Sequence, residues 1–569
     1  MTSQFVSRES FILPKLKFKF RSAIEVDRFA FYDVKFYPYS RPEDDEPVFA
    51  VVGQKKVLIG RLSAQSSAVV TMIHELVDAQ EARDPNSPGL NSCSWCYIDQ
   101  ERPLLAVAGG SGQLKILDAL EGDLFNTLTG HGHGTINDIA THPFMPWIVA
   151  TASMDKSLRI WDLRRHANRY ESPTIIICGQ ATGHTEGVLT VSWHPSGRYL
   201  VTGGHDQRIC VWTIPDLSED STFWRDISPR YRKRSSNDVL TIYFPHFTSA
   251  SVHSNFVDCA RFFGDLIISK AANEDKIVLW RITGFDSEQP PPDSTTAPKL
   301  QDFLDTRNGF IRRATCTDRG ITSVEVRPEY KEAPLYDRLL EFETSHTEQF
   351  YLRFGLLSPS PDFPDLHPVL AFANAKSELR FWDLERLTVG HAGGLAEGRT
   401  LLTARRKMRG IARPVKPSER LTRMSRTPSR LREMESPMSS TSNLSSGARP
   451  RQSSTEATPA TDASTATETT SATEATSATL VAGEISDLGE TSLLPFRDRE
   501  RYPIHDPHAP LKPHSKVSLA ELQFKNMAFF NARAVDWSPC GRWCIVAGES
   551  AINSVTRSEG IGAFAVLYR

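Results

Sequence analysis

Alternating apolar and polar residues predict short β-strands along this chain. Residues 14–22, PKLKFKFRS, alternate as one strand. Two longer segments, 132–162 and 183–212, both run Gly-His, strand, His-Pro, strand, Asp, strand and Trp. Such self-similarity predicts a compact unit of consecutive strands that recurs along the chain.

The repeated unit resembles the WD40 blade, a four-stranded sheet placed radially around a channel. Buried charges and hydroxyls need hydrogen-bond partners. The second copy offers four residues for such a buried relay: His184, Thr202, Asp206 and Trp212. In the first copy Asp155 and Trp161 keep the same six-residue spacing, and His131 and His133 both remain candidates for the histidine.

Weaker copies complete a ring of seven blades. They lie at 31–62, 93–118, 256–280, 350–384 and 531–569. Residues 14–22 are expected to pair into the last blade, which would close the ring and remove two exposed edges. The predicted fold is all-β, a seven-bladed WD40 β-propeller with a long disordered insertion between blades six and seven.

The expected domain boundaries follow from the insertion. Residues 1–385 hold blades one to six with the closing strand, 386–515 form the insertion, and 516–569 form the seventh blade. No aromatic residue occurs from Asp383 to Pro495. This low-complexity, Ser/Thr-rich composition cannot bury enough apolar surface to fold.

Part of the insertion is basic. Residues 405–432 are interpreted either as a solvated linker or as a segment that contacts nucleosomal DNA through its phosphates. Thr427 and Ser436 each precede a proline and are candidate phosphorylation sites. A second irregular insertion, 284–345, separates blades five and six.

Charge and hydropathy exclude several classes of protein. The 66 Lys and Arg residues nearly balance the 68 Asp and Glu residues, so any nucleic-acid contact must be local. No apolar run approaches a membrane span, and residues 1–20 lack a signal-peptide core. The expectation is an intracellular protein without membrane contact.

The cysteines give little sign of metal or redox chemistry. Cys93 and Cys96 have a metal-like spacing, but zinc needs two more ligands, and Cys540 and Cys544 are distant and differently spaced. Buried thiols on a strand are the favoured interpretation. The GGSG at 109–112 is not a phosphate loop, since no helix or suitably spaced lysine follows. We therefore expect a binding module rather than an enzyme, with no cofactor and no metal.

Aromatic residues stand where a propeller binds ligands. The loops that precede the inner strands converge at the channel mouth. Phe350 and Tyr351 open blade six, and Tyr32 lies near the start of blade one. Adjacent strand residues point to opposite faces, so the first two cannot both pack into one core. Their alternative roles are core packing and a cage for a quaternary ammonium, worth about 0.5–2 kcal/mol per ring.

Six stretches carry a more specific resemblance: RPLLAVAGG, GHGTINDIATHP, SMDKSLRIWDL, GHTEGVLTVSW, IYFPHFTSASVHSNFVDCARFFGDLIISK and FYLRFGLL. In this order they resemble the Extra sex combs / Embryonic Ectoderm Development family, the WD40 subunits of Polycomb repressive complex two. The resemblance covers nearly all of the folded part and leaves out the insertion.

This resemblance implies a non-catalytic, nuclear and chromatin-associated subunit of a histone H3 lysine-27 methyltransferase complex. The implied partners are a SET-domain histone methyltransferase subunit, a VEFS-type zinc-finger Polycomb subunit and a histone H3 trimethyl-lysine peptide. The implied mechanism is that bound trimethyl-lysine allosterically activates the methyltransferase for transcriptional repression.

The resemblance also assigns residues. The four cage positions fall on Tyr32, Phe350, Tyr351 and Asn91, the last of which has no ring. Contacts to the histone peptide fall on Asn137, Asp258 and Arg533, each near the start of an inner strand.

A substrate receptor of a cullin-type ubiquitin ligase is the alternative function. The sequence WDLRR at 161–165 contains the Trp-Asp-x-Arg pattern with which such receptors dock an adaptor. Because so short a pattern arises easily within any WD repeat, it supports the ubiquitin-ligase function less than the six stretches support the Polycomb function.

Overall fold

The structure is a computed structural model. It describes residues 13–21, 30–40, 44–83, 89–99, 102–166, 173–177, 183–221, 239–299, 306–317, 320–349, 351–360, 362–363, 366–384, 432–434, 510–522, 529–551 and 561–569. Seven radial sheets confirm the predicted propeller. Within these ranges no helix is long and apolar enough to span a bilayer.

The strands of each blade are given from the channel outward. Blade one contains β2 (Phe31–Phe36), β3 (Val48–Gly53), β4 (Lys56–Leu62), β5 (Val70–Asp78) and β29 (Arg432–Met434). Blade two contains β6 (Leu90–Tyr97), β7 (Pro103–Gly109), β8 (Gln113–Asp118) and β9 (Asp123–Thr129). Blade three contains β10 (Ile136–Thr141), β11 (Ile148–Ser153), β12 (Leu158–Asp162), β13 (Ile175–Ile177) and β17 (Leu240–Ile242). Blade four contains β14 (Val188–Trp193), β15 (Tyr199–Gly204), β16 (Ile209–Thr213), β18 (Phe247–Ser249) and β22 (Arg307–Asn308).

The remaining blades follow the same order. Blade five contains β19 (Val257–Phe263), β20 (Leu266–Ala271), β21 (Lys276–Ile282) and β25 (Tyr336–Glu343). Blade six contains β26 (Gly355–Leu357), β27 (Val369–Ala373), β28 (Glu378–Asp383) and β30 (Ser515–Ser518). Blade seven contains β31 (Phe529–Trp537), β32 (Trp543–Ala551), β33 (Ile561–Tyr568) and β1 (Lys15–Arg21). Outside the blades lie the hairpin β23 (Arg312–Thr317) and β24 (Gly320–Val326) and the short helices α1 (Ala79–Arg83) and α2 (Leu163–His166). The insertion predicted between blades five and six lies within blade five instead, because β25 is the outermost strand of that blade.

The N-terminal strand closes the ring, as predicted. β1 pairs antiparallel with β33, with Lys15 opposite Tyr568. Phe20 stacks on Phe564 with ring centroids 4.6 Å apart. The first strand of the chain therefore covers the outer edge of the last blade, which an open sheet would leave unpaired.

The long insertion leaves the propeller after β28. The chain returns through β30, which pairs with β28 as the outermost strand of blade six. Most of the predicted disordered segment, 386–431 and 435–509, lies outside the described residues. Arg432–Met434 is described, and it pairs parallel with β5 at the outer edge of blade one.

The apolar core lies between the blades. Among the described residues, seven apolar clusters each fill the space between two neighbouring sheets. Their largest buried side chains are tryptophans: Trp95, Trp161, Trp212, Trp280, Trp382 and Trp543. Burying one large apolar side chain contributes about 1.5–3 kcal/mol, so the ring is stabilised by contacts between blades as much as by ladders within them.

The relay predicted in blade four is confirmed. His184 Nδ1 lies 3.0 Å from Asp206, and its Nε2 lies 2.8 Å from Thr202 Oγ1. Trp212 donates from Nε1 to the same hydroxyl at 3.0 Å. The relay ties the turn, the second strand and the third strand of the blade together through buried hydrogen bonds.

Blade three repeats this relay and decides between its two histidines. His131 Nδ1 lies 2.8 Å from Asp155, and its Nε2 lies 2.8 Å from Thr151 Oγ1. Trp161 donates to that hydroxyl at 3.0 Å. His131 therefore holds the role for which His133 was the other candidate.

Blade five contains a third relay that the sequence analysis missed. His253 lies 2.6 Å from Glu274 and 2.7 Å from Ser269 Oγ, to which Trp280 donates at 2.9 Å. Compared with the relays of blades three and four, glutamate stands in place of aspartate and serine in place of threonine, and valine instead of glycine precedes the histidine. The six-residue spacing from Glu274 to Trp280 was the signal that could have revealed it.

We predict that Ser269→Ala destabilises the propeller by about 1–3 kcal/mol, because it leaves the Trp280 indole N–H and one His253 nitrogen buried without a partner. Urea denaturation measures the loss. Ser67→Ala, at an exposed loop position, is the matched control and should change stability by less than about 0.5 kcal/mol. Equal stability of the two variants would contradict the relay in blade five.

Candidate functional site

A β-bulge interrupts six of the seven inner strands, near the start of five of them and in the middle of β31. The register of the ladder skips one residue in each: Tyr32, Asn91, Asn137, Leu189, Asp258 and Arg533. A bulge leaves its extra residue out of the ladder and redirects the side chain. Five of these six residues were predicted for the site, and Leu189 was not. Five of the seven predicted residues therefore share one structural position around the channel mouth.

Blade six has a turn in place of the bulge. Its inner strand begins at Gly355, and Tyr351 precedes it, so the strand predicted at Tyr351 is wrong. Tyr351 has a φ of +69°, a left-handed conformation that costs about 1–3 kcal/mol in a bulky residue. Its N–H donates to Asp258 Oδ2 at 2.8 Å, which supports this conformation. Phe350 lies outside the described residues.

Tyr351 connects blade six with the far side of the channel. Its hydroxyl donates to the Asn137 carbonyl at 3.0 Å. The guanidinium carbon of Arg353 lies 4.9 Å from its ring centroid. The residue is only 6% exposed. A cationic ligand must therefore use the ring face that points away from Arg353.

Tyr32 lies next to a cation of the protein itself. The guanidinium carbon of Arg533 is 5.8 Å from its ring centroid, and Arg533 Nε donates to Glu549 Oε1 at 3.1 Å. Glu549 is paired across the ladder with Asn531. Glu549 Oε2 and Asn531 Oδ1 are buried and have no hydrogen-bond partner in the described part of the chain. These two acceptors, which no sequence pattern indicated, are available to N–H donors.

The other predicted residues are bonded to the framework. Asn91 Nδ2 lies 3.5 Å from a carbonyl of blade three, and Asn137 Nδ2 donates to a carbonyl of blade four at 2.7 Å. Both oxygens of Asp258 accept from Lys270 Nζ, at 2.8 and 3.0 Å. Asn91 therefore adds an amide, and no ring, to the mouth.

Arg353 crosses the channel beneath the mouth. Its Nη1 lies 3.0 Å from Asp138 and 3.5 Å from Asp33, and its Nη2 donates to the Asn137 carbonyl at 2.6 Å. Burial opposes ionisation of Asp138, but Arg353 and Arg261 outweigh it and lower the pKa of that carboxyl. One side chain of blade six thus binds blades one and three.

Polar side chains also join neighbouring inner strands. Asp33 Oδ2 accepts a hydrogen bond from a backbone N–H of blade two at 3.1 Å. Ser92 Oγ accepts one from a backbone N–H of blade three at 3.2 Å, and Asp138 Oδ2 accepts one from a backbone N–H of blade four at 3.0 Å. Asp536 Oδ2 accepts one of blade one at 2.7 Å. Because inner strands of adjacent blades form no ladder, these side chains satisfy the buried backbone donors.

A cavity of about 480 Å³ opens at the other end of the inner strands. Five blades contribute to its wall, with apolar and aromatic side chains beside a few polar ones. Its lining includes Lys35, Tyr39, Trp95, Leu356 and Trp537. A cavity with this lining can accept an apolar segment of a partner.

The zinc site considered for Cys93 and Cys96 does not form. Residues three apart on a strand point to opposite faces. Cys93 packs between blades one and two, and Cys96 between blades two and three. Burial raises the pKa of both thiols. The two sulfurs cannot bind the same ion.

The adaptor-docking pattern at 161–165 serves the propeller itself. The guanidinium carbon of Arg164 lies 4.1 Å from the Trp147 ring centroid. Arg164 also forms ion pairs with Asp162 and Glu219. These contacts give the arginine a structural role in blade three.

We predict that Arg353→Met lowers the free energy of unfolding by about 3–5 kcal/mol, because it leaves the Asp33 and Asp138 carboxylates buried without their shared cation. Arg353→Lys should lose less, since it keeps the charge but not the forked donors. Guanidinium chloride denaturation compares the two variants. A lysine variant as unstable as the methionine variant, or two variants as stable as wild type, would contradict this role.

Asp536 should give stability a pH dependence. Burial raises its pKa from 3.8 to about 6. The folded state therefore holds this proton more tightly, and the resulting stability is complete below about pH 4 and is lost as pH rises through about 6. The free energy of unfolding of Asp536→Asn, relative to that of wild type, should therefore be up to about 3 kcal/mol higher at pH 7 than at pH 4. Urea denaturation at both pH values tests this, and a pH-independent difference would oppose it.

The comparisons with known proteins agree with this architecture. The family WD domain, G-beta repeat (WD40) matches residues 122–162 and 177–213. Polycomb protein EED of Chaetomium thermophilum is 37% identical over 374 residues, 64% of this chain and 58% of that protein. Polycomb protein esc of Drosophila melanogaster is 26% identical over 280 residues, 48% of this chain and 61% of that protein. The aligned regions thus span less than two thirds of either relative.

Single chains from solved Polycomb complexes align with 98% of this chain. One is Chaetomium thermophilum Polycomb Repressive Complex 2 bound to GSK126, with a TM-score of 0.63, 27% identity and coverage of 98% of this chain and 99% of that one. Another is ctPRC2 in complex with H3K27me3 and H3K27M, with a TM-score of 0.63, 27% identity and 98% coverage of both chains. The six inner-strand bulges, the closing strand and these similarities agree on one description: the chain is a WD40 propeller similar to the Polycomb proteins EED and esc.

Proposed function

We propose that this chain is the non-catalytic WD40 subunit of a histone H3 lysine-27 methyltransferase complex and that its channel mouth reads trimethyl-lysine. The observation that carries the proposal is the shared position of the mouth residues. Bulges and one left-handed turn bring Tyr32, Tyr351 and their polar neighbours to the same end of the channel. The similarity to a complex solved with H3K27me3 supports this choice of ligand.

The charges around the channel favour a methylated cation. Five acidic side chains stand near five basic ones: Asp33, Asp138, Asp258, Asp536 and Glu549 with Lys35, Arg261, Lys270, Arg353 and Arg533. With all ten ionised, an entering cation meets no net charge. An unmethylated ammonium is strongly hydrated and has more hydration to lose on entering. A trimethylammonium group has little hydration to lose and gains attraction from the ring faces.

Three rings and one amide form the proposed cage. Tyr32, Phe350 and Tyr351 supply the rings, the assignment of Phe350 resting on the resemblance. Asn91 supplies the polar fourth wall. The proposed contacts to the peptide backbone and flanking side chains come from Asn137, Asp258 and Arg533, joined by the acceptors of Asn531 and Glu549.

The proposed partners follow from the Polycomb family. They are a SET-domain methyltransferase subunit, which bound trimethyl-lysine activates, and a VEFS-type zinc-finger subunit, in the nucleus on chromatin. The cavity beneath the inner strands, with Tyr39 and Trp95 in its wall, is proposed to hold an apolar segment of the methyltransferase. Residues 405–432, of which only Arg432 lies within the described ranges, stay a predicted contact to nucleosomal DNA. Nothing found favours the ubiquitin-ligase alternative.

Two measurements test the function as a whole. Affinity purification of the full chain should recover a SET-domain methyltransferase subunit, and titration should show tighter binding of H3 peptide trimethylated at lysine 27 than of unmethylated peptide. Recovery of a cullin adaptor without a methyltransferase would favour the alternative function.

We predict that Tyr351→Ala abolishes the preference for trimethylated over unmethylated H3 peptide while the propeller stays folded, because the ring belongs to the ligand site. Calorimetric titration measures the preference, and circular dichroism checks the fold. Tyr243→Ala, at a tyrosine that is 53% exposed and outside the mouth, is the matched control. If folded Tyr351→Ala bound the trimethylated peptide like wild type, the cage would have to lie elsewhere.

We predict the opposite effect for Asn91→Tyr, which adds a fourth ring. Trimethylated peptide should bind more tightly by up to about 1 kcal/mol, the scale of one cation–π contact. Affinity for unmethylated peptide should stay unchanged. Asn91→Leu controls for apolar bulk, and an equal gain from leucine would argue against a ring contact.

A further inference from the structure

The loop between β26 and β27 of blade six forms one side of the cavity beneath the inner strands. This loop, residues 358–368, is longer than the corresponding loop in blades two to five and in blade seven. Its sequence, SPSPDFPDLHP, contains four prolines. Four of its residues line the cavity: Ser358, Ser360, Asp362 and Phe363. A chemical change in this loop would therefore alter the cavity wall.

The cavity wall also contains a recurring dipeptide, serine followed by proline. Three serines that precede a proline lie within the described ranges, and all three line this cavity: Ser358, Ser360 and Ser538. Proline-directed protein kinases modify a serine or threonine in this context. The following proline disfavours helical backbone and keeps the serine extended, the form in which a kinase cleft holds its substrate. The dipeptide makes all three serines candidates, and their surroundings separate them.

Ser358 has the surroundings of a kinase substrate. It is partly exposed, and its hydroxyl has no hydrogen-bond partner among the residues that the structure describes. Ser360 is also partly exposed, but its Oγ accepts the N–H of Phe363 at 3.2 Å within the loop. Ser538 is fully buried, and its Oγ accepts the N–H of Trp543 at 3.0 Å. Only Ser358 therefore combines the dipeptide, an accessible position and an unengaged hydroxyl among these three serines.

The cavity offers little to neutralise a phosphate group. Among the described lining residues Lys35 is the one lysine or arginine, and its Nζ already donates to Asp33 Oδ1 at 3.1 Å. Burial lowers the pKa of His142 to about 3, so this imidazole is neutral at pH 7. A phosphoserine carries about −1.5 to −2 charges at that pH. An apolar segment that packed beside it would have to strip water from an unpaired charge, which is costly.

We propose that Ser358 is a proline-directed phosphorylation site and that its phosphate keeps the partner out of this cavity. In the reaction Ser358 Oγ forms a bond to the γ-phosphorus of ATP, and the bond from that phosphorus to its bridging oxygen breaks. ADP leaves, and the hydroxyl proton passes to a base of the kinase. The modification acts on the free chain, before a partner covers the loop. Its effect on binding rests on the proposed function, in which the cavity holds an apolar segment of the methyltransferase, but the site itself does not.

Phosphorylation of the folded full chain tests the site directly. The chain is incubated with ATP and a cyclin-dependent kinase, and fragmentation mass spectrometry assigns each phosphate to one serine. Phosphate should appear on Ser358 and not on Ser538, which has the same dipeptide in a buried position. Ser358→Ala should lose that phosphate alone. An unmodified Ser358, or equal modification of Ser538, would overturn the proposal.

Binding to a SET-domain methyltransferase subunit measures the consequence. Phosphorylation should weaken binding by the wild-type chain by about tenfold or more, and should weaken binding by Ser358→Ala much less, although both carry the same phosphates elsewhere. An equal effect of phosphorylation on the two chains would refute the exclusion of the partner. If the unphosphorylated wild-type chain bound no methyltransferase, the proposed function and this exclusion would fail together, and the phosphate assignment alone would decide the modification site.

Discussion

The propeller depends on one buried charge network at its axis. Inner strands of neighbouring blades cannot form ladders with each other, so their backbone N–H groups need side-chain acceptors. Asp33 and Asp138 supply them, and each carboxylate would be costly in the interior without a cation. Arg353 provides that cation from the opposite side of the ring, 3.0 Å from Asp138 and 3.5 Å from Asp33. The contact at the centre of the propeller therefore joins blade six to blades one and three, whose sheets do not pack against the sheet of blade six.

The mouth inherits its geometry from the same strands. A bulge at the start of an inner strand frees one residue from the ladder just above the level at which the acceptors bind the next blade. Asn137 precedes Asp138, and Tyr32 precedes Asp33. The ligand-facing residue and the structural acceptor are therefore consecutive, and the network that fixes the acceptor also fixes the side chain before it.

The sequence contained most of the fold and part of the site. Seven blades, the closing strand and the relay of His184 could be predicted because each depends on short-range periodicity or spacing. The blade-five relay was hidden by Glu274 in place of aspartate. The left-handed Tyr351 could not be predicted, since its support, Asp258, is 93 residues away. Arg353 gave no signal either, because its partner Asp33 is 320 residues away.

The channel mouth and the buried charge network meet at one carbonyl oxygen. The Asn137 carbonyl accepts both the Tyr351 hydroxyl at 3.0 Å and Arg353 Nη2 at 2.6 Å. A ligand that displaces the Tyr351 hydroxyl leaves that carbonyl to Arg353 alone and removes one support of a strained backbone. Binding at the proposed cage would thus alter the contacts of the residue that holds blades one, three and six together. The mouth is thus physically connected to the propeller framework through the hydrogen bond from the Tyr351 hydroxyl to the Asn137 carbonyl.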